Sequence, residues 1–308
     1  MEHIIRRKPQ ALLVMEALNK RMILSRKEKQ NLYSMTKGYE GECIFDDMIK
    51  EANPNAQVMK DLLLKVNGTT FQIDTILISS DTIYFYEIKN YEGEYQLNKE
   101  KMIIYRSGTE ILNPVNQLQR SSFLFSQLLN QNKHSFKIKA NIIFINSQFT
   151  LYTSSPVENI ILPPLIPKHF DHIASVKSTK KASTDLINFL RSQHISEHEF
   201  AELPRYSMDT LNHQSFCRTC ESPFLAVTGR KVRCEDCGKI ETIASLVRRH
   251  IEEFSLLFPE RRLTTPEIHQ WCGKLISAFS VRHVLKNYYH SEQEGRWRYY
   301  RGKDSQGS

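Results

Sequence analysis

FQIDTILISSDTIYFYEIKNY, residues 71–91, reads as two strands joined by a tight turn at Ser79-Ser80-Asp81. The first half is rich in Ile, Thr and Phe, the second in Ile, Tyr and Phe, the residue types that suit a pleated, half-buried surface. Each half also carries charge where a buried sheet should carry none: Asp74 in the first, Glu87 and Lys89 in the second. Strand side chains alternate, so Glu87 and Lys89 project from the same face as Ile83 and Phe85. A hairpin hinged at 79–81 brings Asp74 opposite the end of the second strand. Two carboxylates and one ammonium then converge at one end of an apolar hairpin. Burying such charges unpaired is costly, so they need each other, a metal or water.

A chain of 308 residues has room for two or three domains and a sizeable core. A quarter of its residues are charged and the net charge is +8, a mild pointer to a polyanionic partner. The early apolar run ALLVMEAL is short, is interrupted by Glu16 and lacks a small-residue cleavage site. No run of about 20 apolar residues is present for a membrane span, so no membrane partner is expected. Four of the six cysteines form two CxxC pairs, which fits metal ligation in a reducing compartment better than a disulfide framework. A cytoplasmic location is the expectation.

Outward from the hairpin, residues 1–37 space apolar positions three or four apart and form an N-terminal helical segment that Gly38 should end. A second helix is expected from about Glu40 to Glu51, with Glu42, Phe45, Asp46 and Ile49 on one face. Asn53-Pro54-Asn55 stops it, QVMKDLLLKV follows as a strand, and Asn67-Gly68 is a hairpin turn signal. Beyond the charged hairpin, a short strand pair turns at Ser107-Gly108, and Asn113-Pro114 starts a helix with Asn as cap and Pro at the first position. Gln117 sits in its first turn, and KANIIFIN is a continuous apolar run, typical of a strand covered on both faces.

The order helix, three strands, insertion, helix, strand is that of the restriction-endonuclease-like αβββαβ core, an α/β fold. The residues also resemble the nuclease-related domain (NERD) family. Four blocks carry the resemblance: Gly38-Tyr39-Glu40-Gly41-Glu42, Gln72-Ile73-Asp74, Glu87-Ile88-Lys89-Asn90-Tyr91-Glu92-Gly93, and Asn113-Pro114-Val115-Asn116-Gln117. The family's common threonine between the Glu and the Lys is Ile88 here, on the opposite face of the strand.

The resemblance implies a metal-dependent nuclease of the PD-(D/E)XK type. Phosphodiester hydrolysis needs an activated water and charge neutralised on the phosphoryl oxygens, and partly hydrated Mg²⁺ (or Mn²⁺) supplies both. Asp74 and Glu87 are then the carboxylate ligands, with the Ile88 carbonyl as a third oxygen. Lys89 orients the water or offsets charge in the transition state. Glu42 is an auxiliary ligand or acceptor, Gln117 positions water or phosphate, and Gln72 is a weaker candidate of that kind. The nuclease-like domain is expected over residues 38–150. Residues 151–212 read as the tail of the nuclease domain plus a connector, with no chemistry of their own, and His169 and His172 as surface residues.

Cys217-x-x-Cys220 and Cys234-x-x-Cys237 are separated by thirteen residues, within which FLAVTGRKV should turn at Thr228-Gly229. Four thiolates at this spacing suit tetrahedral, structural Zn²⁺, and residues 213–240 resemble a zinc ribbon. Cys43 and Cys272 read as core residues. Residues 241–303 then offer a helix, a short helix capped at Thr265-Pro266-Glu267, and a helix over 279–289 with Phe279, Val284, Leu285 and Tyr288 inward. Arg296-Trp297-Arg298-Tyr299-Tyr300-Arg301 alternates like a strand. The set resembles a winged helix-turn-helix, a module of α/β type whose second helix enters the major groove. Arg282, His283, Lys286, Arg296 and Arg298 are its candidate nucleic-acid contacts. From Pro204 on there are 17 Lys+Arg against 12 Asp+Glu, a net of +5, so the basic excess concentrates here. Residues 304–308 read as a tail.

Two functions of different class compete. One is a nuclease that cuts DNA ahead of RNA, in DNA processing, repair or defence, with the C-terminal modules recruiting the nucleic acid. The other is a non-catalytic nucleic-acid-binding adaptor that keeps the nuclease fold. A third, a protein-interaction module built on the tail, would show only a shallow salt dependence of nucleic-acid binding.

Overall fold

Two helices open the chain, α1 (Gln10–Arg21) and α2 (Arg26–Ala52). Strands β1 (Gln57–Val66), β2 (Thr69–Ser79) and β3 (Thr82–Lys89) follow, then β4 (Gly93–Leu97), β5 (Met102–Ile104), β6 (Glu110–Ile111) and helix α3 (Pro114–Gln131). Next come β7 (Lys137–Phe144), β8 (Phe149–Thr153), β9 (Ile160–Ile161), α4 (Ile166–Ser175) and α5 (Thr184–Gln193). The last part holds β10 (Leu225–Thr228), β11 (Lys231–Cys234), β12 (Ile240–Thr242), α6 (Ile243–Leu257), α7 (Thr265–Trp271), α8 (Ala278–Tyr288), β13 (Tyr289–Glu294) and β14 (Trp297–Gly302). This computed structural model describes residues 6–98, 101–175, 184–195, 203–295 and 297–302. Two compact units divide it: Met1–Pro9 with Tyr33–Ala201, and Gln10–Leu32 with Glu202–Ser308.

The first unit is a mixed α/β layer structure around a five-stranded sheet of order β1-β2-β3-β7-β9. Asn67 and Gly68 take the positive φ values, 49° and 78°, of the tight turn that their sequence announces between β1 and β2. β3, β7 and β9 run parallel. Alternation along β3 sends Ile83 and Phe85 into one apolar core with Phe125 and Leu128 of α3. Tyr84, Tyr86 and Ile88 enter the core on the other face, with Phe45 and Ile49 of α2 and Phe170 and Ile173 of α4. Asn113 caps α3 by accepting the Val115 N–H at 3.0 Å.

Gly38 does not end a helix. α2 runs through it from Arg26 to Ala52, because one glycine costs about 1 kcal/mol in a helix and the burial of Phe45 and Ile49 outweighs that. Gly41 has a different role. A Cβ there would lie 2.6 Å from the Asn90 Cβ, so only glycine lets α2 approach the end of β3 this closely. Asn90 fastens the contact by donating to the Lys37 carbonyl at 2.8 Å. Nothing lies within 4 Å of a Cβ placed at Gly38. Gly38→Ala is therefore expected to stabilise the protein by up to about 1 kcal/mol. Gly41→Ala should destabilise it by about 1–3 kcal/mol through overpacking. Urea denaturation of the two variants checks the contrast, and equal effects would contradict it.

Within the region 151–212 expected as tail and connector, the elements β8, β9, α4 and α5 belong to the first unit. β8 pairs in parallel with β4, β9 extends the main sheet beside β7, and α4 and α5 cover its two faces. Strands of five and two residues beside prolines carry no periodicity, and their partners are distant in sequence. His169 is half-buried rather than a surface residue. Its Nε2 lies 2.8 Å from the Tyr86 hydroxyl, and burial, then His172 and Lys139, push its pKa down to about 4.

In the second unit, β10, β11 and β12 form a three-stranded antiparallel sheet that leads directly into α6. α6, α7 and α8 pack with α1 around Leu12, Met15, Leu18, Leu246, Phe254, Trp271 and Leu285. Buried Arg21 donates to the carbonyls of Asn212 and Gln214, at 2.8 and 2.9 Å, and lies 3.9 Å from the Trp271 ring centroid. The expected segments 213–240 and 241–303 thus share one unit with α1, which the sequence had placed in a separate N-terminal segment of residues 1–37. β13 and β14 make a hairpin, and Tyr300 bridges back to Leu263.

Candidate active site and metal centre

β2 and β3 pair from Ser79↔Thr82 to Thr75↔Tyr86 and then part. β2 stays with β1 as far as Val66↔Thr69, and β3 stays with β7 as far as Lys89↔Phe144. The fork between them is where Asp74, Glu87 and Lys89 lie. Asp74 Oδ2 takes over the missing ladder partner, accepting the Ile88 N–H at 2.7 Å. Lys89 Nζ donates to Glu87 Oε1 at 2.7 Å and to Gln117 Oε1 at 3.0 Å, while Gln117 Nε2 donates to the same Glu87 oxygen. Glu87 is buried, whereas Glu42, Asp74, Lys89 and Gln117 are partly exposed, so water reaches one side of the group.

Electrostatics ties these residues together. Burial, then the neighbouring Asp74 charge, pushes Glu87 up to about 7 against the opposing pull of Lys89. The same two causes push Glu42 up to about 8, with Arg6 opposing. Burial also raises Asp74, against the Ile88 N–H, Lys89 and Arg6. Burial is the largest influence on Lys89 and would discharge it, but Glu87, Tyr91 and Asp74 together outweigh it and hold the ammonium charged.

These shifts carry a pH signature. A carboxyl raised on folding keeps its proton in the native state while the unfolded carboxyl, near about 4.3, has lost it. Its contribution is present below about pH 4.3 and is lost as pH rises through the folded value, about 7 for Glu87. The metal-free protein should therefore lose stability across that window, and Glu87→Gln should lose less. Urea denaturation of both at a series of pH values measures the difference, and a difference that grows in the opposite direction contradicts the assignment.

Sequence reasoning missed three members of the cluster. Arg6 Nε and Nη2 fork onto Asp46 at 3.0 and 3.3 Å, and Nη1 reaches Glu42 at 2.9 Å and also Asp61. Nη2 further donates to the Asp74 carbonyl at 3.1 Å and to Thr75 Oγ1 at 2.9 Å. Asp61 stands inside β1 with φ 51°, a left-handed kink in the strand. Asp61 was legible as a charge inside an apolar run and Asp46 as a charge beside Phe45. Nothing local marks Arg6 as their partner.

Cys217, Cys220, Cys234 and Cys237 meet at one end of the three-stranded sheet, where its central strand β11 finishes at Cys234. Their Sγ atoms lie within 4.8 Å of one another, with Cys217–Cys237 and Cys220–Cys234 at 3.6 Å. A tetrahedral ion with bonds of about 2.3 Å sets sulfurs about 3.8 Å apart, so the four could bind a metal such as zinc. The Thr219 N–H points at Cys217 Sγ from 3.4 Å. Among the described residues this is the one group of three or more His, Cys, Asp or Glu side chains that converges so tightly.

On α8, Arg282, His283 and Lys286 are exposed, as is Arg298 on β14, and Arg296 lies outside the described residues. Phe279 and Tyr288 do not face inward: they are 79% and 45% exposed. Phe279 lies off the stripe of Val281, Val284 and Leu285, and Tyr288 lies in the last turn with the Arg248 guanidinium 5.0 Å from its ring centroid.

No helix of the described residues is long and apolar enough to cross a membrane. No curated protein and no solved structure matches the chain. Residues 37–145, the segment that holds Glu42, Asp74, Glu87, Lys89 and Gln117, match the family model of the nuclease-related domain, NERD.

Proposed function

We propose that the first unit is a divalent-metal-dependent nuclease that hydrolyses DNA at the fork between β2 and β3. The observation that carries this reading is the meeting of Asp74, Glu87, Lys89 and Gln117 there, open to water on one side, within the nuclease-related segment. Asp74 and Glu87 are oxygen donors whose ionisation burial and mutual repulsion oppose, which is the imbalance that a hard cation corrects. With the Ile88 carbonyl they would hold Mg²⁺ or Mn²⁺, and Glu42 is close enough to Asp74 to feel its charge. When bound, the cation supplies charge neutralisation at a phosphate and acidifies a water.

The chain's own residues do the rest. Lys89, held charged by Glu87, presents a positive group toward the place where phosphoryl oxygens gain charge. Gln117 fixes the Glu87–Lys89 pair through its amide and leaves Lys89 a single orientation. The four-cysteine group, with Zn²⁺ as the ion that its sulfurs suit, braces a ribbon. The helices α6–α8 with the β13–β14 hairpin serve as a winged-helix-like module that recruits DNA through Arg282, His283, Lys286, Arg296 and Arg298.

The test is metal-dependent nicking of supercoiled, linear and single-stranded DNA by wild type beside Asp74 and Lys89 variants. One observation favours the adaptor reading: Glu87, Lys89 and Gln117 already satisfy one another, and the carboxylates do not gather as tightly as the cysteines. Salt-dependent DNA binding with no cleavage in Mg²⁺ or Mn²⁺ would decide for it.

A further inference from the structure

The three-stranded sheet of the second unit has one face without a core. Register sets Ala226 opposite Arg233, Thr228 opposite Lys231, Arg233 opposite Ile240 and Lys231 opposite Thr242, so these side chains share a face. Phe224, whose carbonyl accepts the Glu235 N–H, continues that face by one more pair, which sets the exposed Glu235 beside it at that end. The opposite face buries Val232 and Cys234. On the outer face Lys231 and Arg233 are exposed, Phe224 is 60% exposed and Ile240 is 52% exposed. Arg230 and Lys239 stand exposed at its margins, with Glu235 and Asp236 in the turn that carries the last cysteine pair. Among the described residues neither Lys231 nor Arg233 has an ion-pair partner, while Glu241 on the opposite face is paired to Arg249 at 2.9 Å.

We infer that this face binds single-stranded nucleic acid, its backbone on Lys231 and Arg233 and its bases against Phe224 and Ile240. Arg233 lies between the exposed Phe224 and Ile240, and Lys231 one pair further along between Thr228 and Thr242, so two unpaired cations beside exposed apolar side chains complement a polyanion whose flat faces are open. A duplex hides those faces inside its stack, and an acidic peptide has none. Base–aromatic contact is sequence-tolerant, so the face should be indifferent to sequence. This rests on reading the second unit as the recruiting part of the molecule, and it gives that unit two surfaces of different preference: α8 and its hairpin for duplex, the ribbon face for single strand.

The experiment is fluorescence anisotropy of a labelled twenty-mer of thymidine, and of a duplex of equal length, titrated with the full chain at several salt concentrations without added divalent metal. Zinc content is measured on every variant to show that the ribbon is intact. Lys231→Gln/Arg233→Gln should weaken single-strand binding at least about tenfold and flatten the slope of log affinity against log salt by about 1.4, at about 0.7 per phosphate contact. Phe224→Ala should weaken it about fivefold or more while leaving the slope unchanged. Arg282→Gln/Lys286→Gln should weaken duplex binding more than single-strand binding. Unchanged single-strand affinity and slope in the Lys231/Arg233 variant, or an equal loss on duplex, overturns the inference. Failure of the α8 variant to weaken duplex binding instead overturns the recruiting role given to α8, and leaves the ribbon result to be judged separately.

Discussion

Cleavage of supercoiled DNA in Mg²⁺ or Mn²⁺ should fall at least about a hundredfold in Lys89→Ala, and further in Asp74→Asn. The choice of substitutions follows from what each leaves behind. Asp74→Ala would strip the Ile88 N–H of its acceptor inside the fork, at about 1–3 kcal/mol, whereas asparagine keeps an oxygen there and removes only the charge. Glu87→Ala would leave the Lys89 ammonium largely out of water without its ion-pair partner. Lys89→Ala is gentler, because Glu87, already pushed up to about 7, can take a proton and keep its bond from Gln117. Both chosen variants should therefore melt within a few degrees of wild type while losing turnover. Binding to DNA should survive in both, since the basic excess of the second unit is untouched. Full cleavage by both variants would show that the fork is not the active site.

Much of that site was legible because its signals are local. Charges at Asp74, Glu87 and Lys89 stand out against the period-two apolar pattern of their strands, and Asn67-Gly68 and Asn113-Pro114 announce their own backbone geometry. The paired CxxC spacing gives the sulfur cluster in the same way. What failed depends on distant partners. β8 and β9 join the first unit through parallel pairing to β4 and β7, a contact that needs no local periodicity. Gly38 stays inside α2 because the packing of Phe45 and Ile49 outweighs one unfavourable residue, and that packing is not visible at Gly38 itself. Phe279 was counted as core although its spacing to Val284 places it on another face of α8. The acid cluster around Arg6 shows the limit most plainly: an arginine is correctly placed only once it is known that Asp46, Asp61 and Glu42 surround it.

Arg6→Gln should destabilise the first unit by about 2–3 kcal/mol at pH 8, the cost of leaving partly buried carboxylates without their counter-charge, reduced because water still screens Asp61. The guanidinium is almost wholly buried and ties α2, through Glu42 and Asp46, to β1 at Asp61 and β2 at Thr75. Removing it leaves Glu42, Asp46 and Asp61 facing one another, with Lys60 on Asp46 at 2.9 Å as the remaining cation in that group. Burial and Asp74 already push Glu42 up to about 8, and burial pushes Asp61 up to about 6, both against Arg6. Without Arg6 both rise further, so the variant's native state binds protons that the unfolded chain does not. Its deficit should therefore shrink as pH falls from 8 toward 5. Arg6→Lys keeps the charge but not the fork of donors, and one ammonium cannot serve three carboxylates, a carbonyl and a hydroxyl, so it should recover less than half of the loss. Urea denaturation of the metal-free protein at both pH values reads all of this without reference to catalysis. A Gln variant within about 1 kcal/mol of wild type at pH 8 would mean that Arg6 is not docked in solution. A deficit independent of pH would mean that Arg6 acts by filling space, and that the carboxylates around it do not depend on its charge.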